Sequence, residues 1–149
     1  MTRDIDPRLL FEIFKEIGII EQLSRAQLEA RLPDGLIAPH FAVLNHLVNR
    51  GDGAVPIDMA RAFQVPKTSM THTLKGLAAH GLVDLRANPD DGRSKTVWLT
   101  EKGRKLREET ITDLVPEFVG LGAQIEIDKL AEILPTLVSL REKMDAARD

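Results

Sequence analysis

Residues 81–103 read GLVDLRANPDDGRSKTVWLTEKG. Leu82 to Ala87 and Thr96 to Thr100 are short runs rich in the residues that favour a pleated strand. Between them lies Asn88-Pro89-Asp90-Asp91-Gly92, a dense turn cluster in which Asp91-Gly92 is a favoured hairpin pair. The segment therefore predicts a two-stranded hairpin with a charged tip. Immediately upstream, a short helix is expected from Pro56 to Phe63, with Met59, Ala60 and Phe63 as its apolar members. Val65 follows in a turn, and a second helix starts near Lys67, where Met70, Leu74 and Leu77 recur at steps of four and three. Gly81 stops that helix. The order is helix, tight turn, helix, hairpin, which predicts a helix-turn-helix followed by a β arm.

The flanks read as longer helices. Leu9, Leu10, Ile13, Phe14, Ile17, Ile20 and Leu23 give residues 8–31 one apolar face, and Pro7 suits the first helical position. Leu32-Pro33-Asp34-Gly35 is a turn, and a helix follows from about Pro39 to Arg50, ended by Gly51-Asp52-Gly53. Thr100 caps a helix over residues 101–121, with a kink or break expected at Pro116. Asp128 opens a last helix carrying Leu130, Ile133, Leu134, Leu137, Val138, Leu140 and Met144, with a second kink expected at Pro135. The terminal helices hold more apolar surface than a small winged domain needs, so a homodimer is expected. The fold class is mainly α (α+β): a winged helix-turn-helix with a two-stranded β wing and long N- and C-terminal dimerisation helices. Residues 1–149 are expected to form one domain. Residues 37–100 would be its winged lobe, with 7–36 and 101–149 its helical dimerisation lobe.

Composition narrows the function. The chain has 149 residues, 43% hydrophobic and 29% charged, a balance that suits a packed core. It has no cysteine, which excludes disulfides and thiolate metal sites. Arg3, Asp4 and Asp6 at the start argue against a secretory signal, and no apolar run reaches the length of a membrane span. A cytoplasmic protein without cofactor, metal or membrane is expected. The net charge of -3 hides an uneven distribution. Residues 61–107 carry ten Lys and Arg against four Asp and Glu, whereas the flanking segments are acidic. A basic middle between acidic ends is the footprint of a polyanion-binding surface.

The basic segment has suitable chemistry. Double-stranded DNA presents readable base edges in a major groove that admits an α-helix. With Met70, Leu74 and Leu77 turned inward, Lys67, Thr68, Ser69, Thr71, His72 and Lys75 are left on the outer face. Thr68, Ser69 and the helix N-terminal amides suit phosphate oxygens, and His72 and Lys75 suit bases or phosphates. The loop tip adds Arg93, Ser94 and Lys95, with Asp91 placed to pair with Arg93 and orient it. An arginine on such an arm fits the strong negative potential of a narrow minor groove. Taken singly, the helix face also reads as a solvated polar surface and the loop as an ordinary charged turn. Their adjacency within one basic segment is what favours DNA.

Three pieces of this sequence, Gly81-Leu82-Val83, Asn88 to Arg93, and Val97-Trp98-Leu99-Thr100-Glu101-Lys102-Gly103, resemble the MarR family of winged helix-turn-helix transcriptional regulators. Met59 to Val65 is similar to that family's helix before the recognition helix. The resemblance implies a two-fold dimer built by the terminal helices and a repressor bound to a palindromic operator. It also implies release by a small aromatic or phenolic effector. By that likeness Arg93 is the minor-groove arginine and Asp91 its orienting partner. The chain departs from the pattern where Gln64 replaces a turn glycine, where His72 stands in place of an arginine, and at Gly92 and Leu85. Gln64 is expected to carry mild strain, and His72 opens a route to pH-dependent binding.

An effector pocket between the terminal helices and the winged unit has Phe14, Ile17, His40, Phe41 and Trp98 as candidates by position only, each of which reads more readily as core. An enzyme is the first competing class. His40, His46, His72 and His80 show no metal-binding spacing, and no nucleophile elbow or phosphate loop is present. A winged helix used for protein contacts is the second. It has no need of Lys67, Lys75, Arg93 and Lys95 on one surface, and its binding would lack a steep salt dependence.

Overall fold

The computed structural model describes residue 4 and residues 6–148. The chain divides into two compact units, the first ending at Asp113 and the second beginning at Leu114. The division falls inside a helix rather than at its start near residue 100.

In the first unit, α1 (Pro7–Glu29) begins where the Asp6 carboxylate accepts the Arg8 N–H at 3.0 Å. No residue of α1 is buried, and Phe11, Ile20 and Leu23 are each at least 60% exposed. α2 (Ala38–Arg50) starts with a local closure: His40 Nδ1 accepts the Ile37 N–H at 2.9 Å, while the Ile37 carbonyl accepts the His40 N–H at 2.9 Å. α3 (Pro56–Phe63) ends at Gln64, which is left-handed at φ 54° and ψ 44°. It is the one non-glycine residue with positive φ among the described residues, as the missing turn glycine led us to expect. α4 (Lys67–Ala79) follows. β1 (Val83–Ala87) and β2 (Lys95–Leu99) pair antiparallel, with Val83 opposite Leu99 and Ala87 opposite Lys95.

The core lies where these elements meet. Val43, Leu44 and Leu47 of α2, Met59 and Ala60 of α3, and Met70, Leu74 and Leu77 of α4 pack with Leu36, Leu82, Val83 and Val97. The stripe expected on α4 is buried, whereas on α2 Phe41 is only half-buried and Val43, Leu44 and Leu47 take the inner face.

α5 (Glu101–Gly122) is capped as its sequence suggests. Thr100 Oγ1 accepts the Gly103 N–H at 3.0 Å and donates to the Gly81 carbonyl at 2.7 Å. Gly103 is required by a close approach: a Cβ there would stand 2.1 Å from the Leu82 carbonyl oxygen. Further along, Arg107 donates from Nε and Nη2 to Asn45 Oδ1 at 3.2 and 3.0 Å, tying α5 to α2. In the second unit, α5 runs on through Pro116, and α6 (Ile127–Ala146) continues through Pro135. Neither proline breaks its helix. Each removes one hydrogen bond from a ladder that resumes beyond it. α6 has no buried residue, and Leu130, Ile133, Leu134 and Leu137 are exposed. Among the described residues, no helix is long and apolar enough to cross a membrane.

Two stability effects follow. Gly103→Ala is expected to cost about 1–3 kcal/mol or more, because backbone must move to admit the methyl group; urea unfolding checks this. Burial holds the His40 imidazole below its ordinary value, outweighing the opposing effect of its backbone hydrogen bond at Ile37, and the charges of His80 and His72 add to the lowering. Only the neutral ring can accept the Ile37 N–H. The unfolded chain thus binds more protons than the folded one as pH falls through about 6.5. Stability is full above that pH and declines towards the lowered folded value. His40→Gln keeps an acceptor for Ile37 without titrating. It is expected to flatten the loss of melting temperature between pH 7.5 and 5.5 relative to the parent chain, as checked by thermal scans.

Candidate nucleic-acid interface

Lys67, Thr71 and Lys75 recur every fourth residue on α4 and so share one face. Across from them stands the loop between the strands. The expected Asp-Gly hairpin turn is not present: residues 88–94 form a longer loop, and Gly92 does not have positive φ. Side chains close the loop instead. Asn88 Nδ2 donates to Ser94 Oγ at 2.9 Å, and Asn88 Oδ1 accepts the Asp90 N–H at 3.0 Å. Asp91 Oδ1 accepts the Arg93 backbone N–H at 3.0 Å. Asp91 therefore orients Arg93 through its amide, where the sequence suggested a charge pair.

Between α4 and this loop lies a groove of about 650 Å³. It brings together Lys67, Thr71 and Lys75 from the helix with Asp91, Arg93, Ser94 and Lys95 from the wing. Among the described residues, none of the four cations is held in an ion pair. Thr71 is half-buried, and its hydroxyl donates to the Lys67 carbonyl at 2.9 Å, leaving its oxygen lone pairs free to accept. An adjoining hollow is lined by Lys67, Thr68, Thr71, His72 and Lys75. Ser69 is the exception among the expected contacts. It lines a different cavity of about 490 Å³, with Ala42 of α2, Met70 and Thr73.

The wing is bonded to the helices at its root. Val97 N–H donates to the Ala54 carbonyl at 2.9 Å, and Gly53 N–H donates to the Val97 carbonyl at 2.8 Å. Asp52 Oδ1 accepts the Leu99 N–H at 2.7 Å. On the outer face, Arg86 stacks over Trp98 at 4.2 Å, and Trp98 Nε1 donates to Thr96 Oγ1 at 2.9 Å.

A model for the MarR family matches residues 34–94, the span from the start of α2 through the wing loop. Over that span the chain is similar to the MarR family. It is 26% identical over 144 residues to the HTH-type transcriptional regulator TtmR of Methylorubrum extorquens, covering 97% of this chain and 71% of that relative. Its fold is similar to that of a MarR transcriptional regulator from Methanosarcina mazei. The TM-score is 0.77 at 23% identity, covering 88% of this chain and 94% of that one. A mutant MarR from E. coli complexed with operator DNA is similar with a TM-score of 0.71 at 23% identity, covering 94% and 99%.

The five pocket candidates are not gathered into any of the cavities described above. Phe14 and Ile17 lie exposed on α1, at 42% and 39%. His40 is buried as the closing side chain of α2 and packs against Gly76 of α4, where a Cβ would stand 2.8 Å from its ring. Phe41 is half-buried, and Trp98 stacks with Arg86. Among the described residues, no group of three or more acidic or histidine side chains is arranged to hold a metal.

Sequence reasoning missed the groove's apolar members Val55, Pro56, Ile57 and Leu85, and the anchoring roles of Asp52 and Asn88. Asp52 sits between two glycines, which signals a helix stop and conceals a side-chain acceptor. Asn88 opens a turn cluster, the usual place for an Asx bond, and that signal was available. Asp91→Ala removes one hydrogen bond at the wing tip. Amide exchange at Arg93 is expected to accelerate about fivefold with the core amides unchanged, as read by hydrogen exchange.

Proposed function

We propose that the chain is a homodimeric, sequence-specific double-stranded DNA-binding transcription regulator that represses by occupying a palindromic operator. The observation that carries this reading is the groove between α4 and the wing, where four unpaired cations face one another across a volume suited to a DNA strand. α4 enters the major groove with Thr71, His72 and Lys75 towards base edges, while Lys67 and Thr68 hold phosphate. Arg93 reaches the adjacent minor groove, with Ser94 and Lys95 against the backbone. Residues 37–100 act as the DNA lobe.

The exposed apolar stripes of α1 and α6 support a dimer, since patches of this kind on a free chain mark a contact surface. Two-fold symmetry then spaces the recognition helices for half-sites about 34 Å apart. Release by a small aromatic or phenolic acid belongs to the same reading. The cavity beside Met70 and Thr73 has a size suited to such a ligand and touches the inner side of α4. Occupancy there would shift the spacing of the two helices.

Selection from a random duplex pool is expected to return a palindrome. Binding should weaken steeply with salt, at about 0.9 log units per log unit for each phosphate neutralised. Arg93→Ala is expected to lower operator affinity about tenfold or more and to reduce the salt slope by about 2 per dimer, with unchanged unfolding. Unchanged affinity in an anisotropy titration rejects the wing's role. Light scattering should report twice the 16.6 kDa chain mass, and a monomer mass contradicts the dimer. Titrating small aromatic acids into the complex should release DNA if the effector assignment is correct.

A further inference from the structure

The groove between α4 and the wing is not uniformly polar. Lys67, Lys75, Arg93 and Lys95 line it, and so does an apolar set, Val55, Pro56, Ile57 and Leu85 with the buried Leu74, which we call its floor. Ile57 is 38% exposed although it lies at the start of a helix beside a cationic surface. Its other polar side chains make hydrogen bonds within the protein, and the Thr71 oxygen keeps lone pairs free to accept. Thr71 donates to the Lys67 carbonyl, Asn88 holds Ser94, and Asp91 holds the Arg93 amide. The Val55 carbonyl takes the N–H groups of both Asp58 and Met59 at 3.0 and 3.1 Å.

If α4 occupies a major groove and Arg93 the neighbouring minor groove, the sugar–phosphate ridge dividing them must pass through this channel. Phosphates then meet the cations, and sugar carbons meet the floor. We propose that the floor formed by Val55, Pro56, Ile57 and Leu85 seats deoxyribose of one strand, and that this apolar seat selects against a 2′-hydroxyl at those nucleotides. The inference rests on the DNA-binding reading and adds the specificity-determining residues for sugar type. A deoxyribose methylene loses little on leaving water for an apolar bed. A hydroxyl seated against these carbon side chains loses its water partners and gains none from them, which costs affinity.

The test uses the full chain and the duplex recovered by selection, read by fluorescence anisotropy. Single ribonucleotides are placed in turn along each strand, and 2′-fluoro nucleotides are placed at the same positions. The fluoro sugar shares the ribose pucker but has no hydroxyl to donate. Ribose is expected to weaken binding about tenfold in one short window per half-site, with the fluoro duplex within about twofold of the all-deoxy parent. Ile57→Ser, which places a hydroxyl on the floor, is expected to bring the ribose-to-deoxy affinity ratio in that window to within about twofold of unity. Tight all-deoxy binding with a flat ribose scan overturns the seat and leaves the DNA reading standing. So does a fluoro penalty equal to that of ribose, since sugar pucker then explains the effect. No binding of the all-deoxy duplex at low salt overturns the DNA reading, and the seat with it.

Discussion

Val97 holds the structure's two nucleic-acid-facing surfaces in one frame. Its side chain is fully buried, it stands opposite Leu85 in the hairpin, and its backbone N–H and carbonyl bond to Ala54 and Gly53 ahead of α3. Asp52 takes the N–H of Leu99 two residues on, and α5 closes over Leu82 through the bare Cα of Gly103. A two-stranded hairpin alone is marginal in water. With β2 stitched to the segment that enters α3, the wing becomes an extension of the helix pair. The walls of the groove then have a set separation before any ligand arrives.

That rigidity matters because the groove is held together by nothing else. Lys67, Lys75, Arg93 and Lys95 repel one another weakly through water and salt, and among the described residues no carboxylate forms an ion pair with them. An acidic chain with net charge -3 thus retains one strongly positive channel. Unpaired cations are a small cost in the free protein and the source of counterion release in the complex. Gln64 shows a similar trade at the helix-turn-helix, where a side chain sits in a backbone region that glycine occupies more easily. The tight turn it permits sets α4 at its angle to α3.

α1 and α6 have a different logic. Both form because their apolar residues recur at helical spacing, yet neither buries a residue in the single chain. Helical periodicity reports that a face is apolar and says nothing about what covers it.

The elements themselves were legible from residue order. Met70, Leu74 and Leu77 predicted the inner face of α4, Thr100 the cap of α5, and Gln64 the strained turn. These depend on local spacing and backbone preference, which act within a few residues. What the chain alone could not decide were directions set by distant neighbours. The α1 and α2 side of α4, against which Met70 packs, turns Ser69 away from the groove. Burial against Gly76 makes His40 part of the core, and Asn88 reaching Ser94 converts a hairpin turn into a braced loop. Local sequence therefore determined the helices, the hairpin and the basic segment. Only tertiary packing decided which polar groups converge, because a side chain's surroundings are supplied by residues far away in the chain.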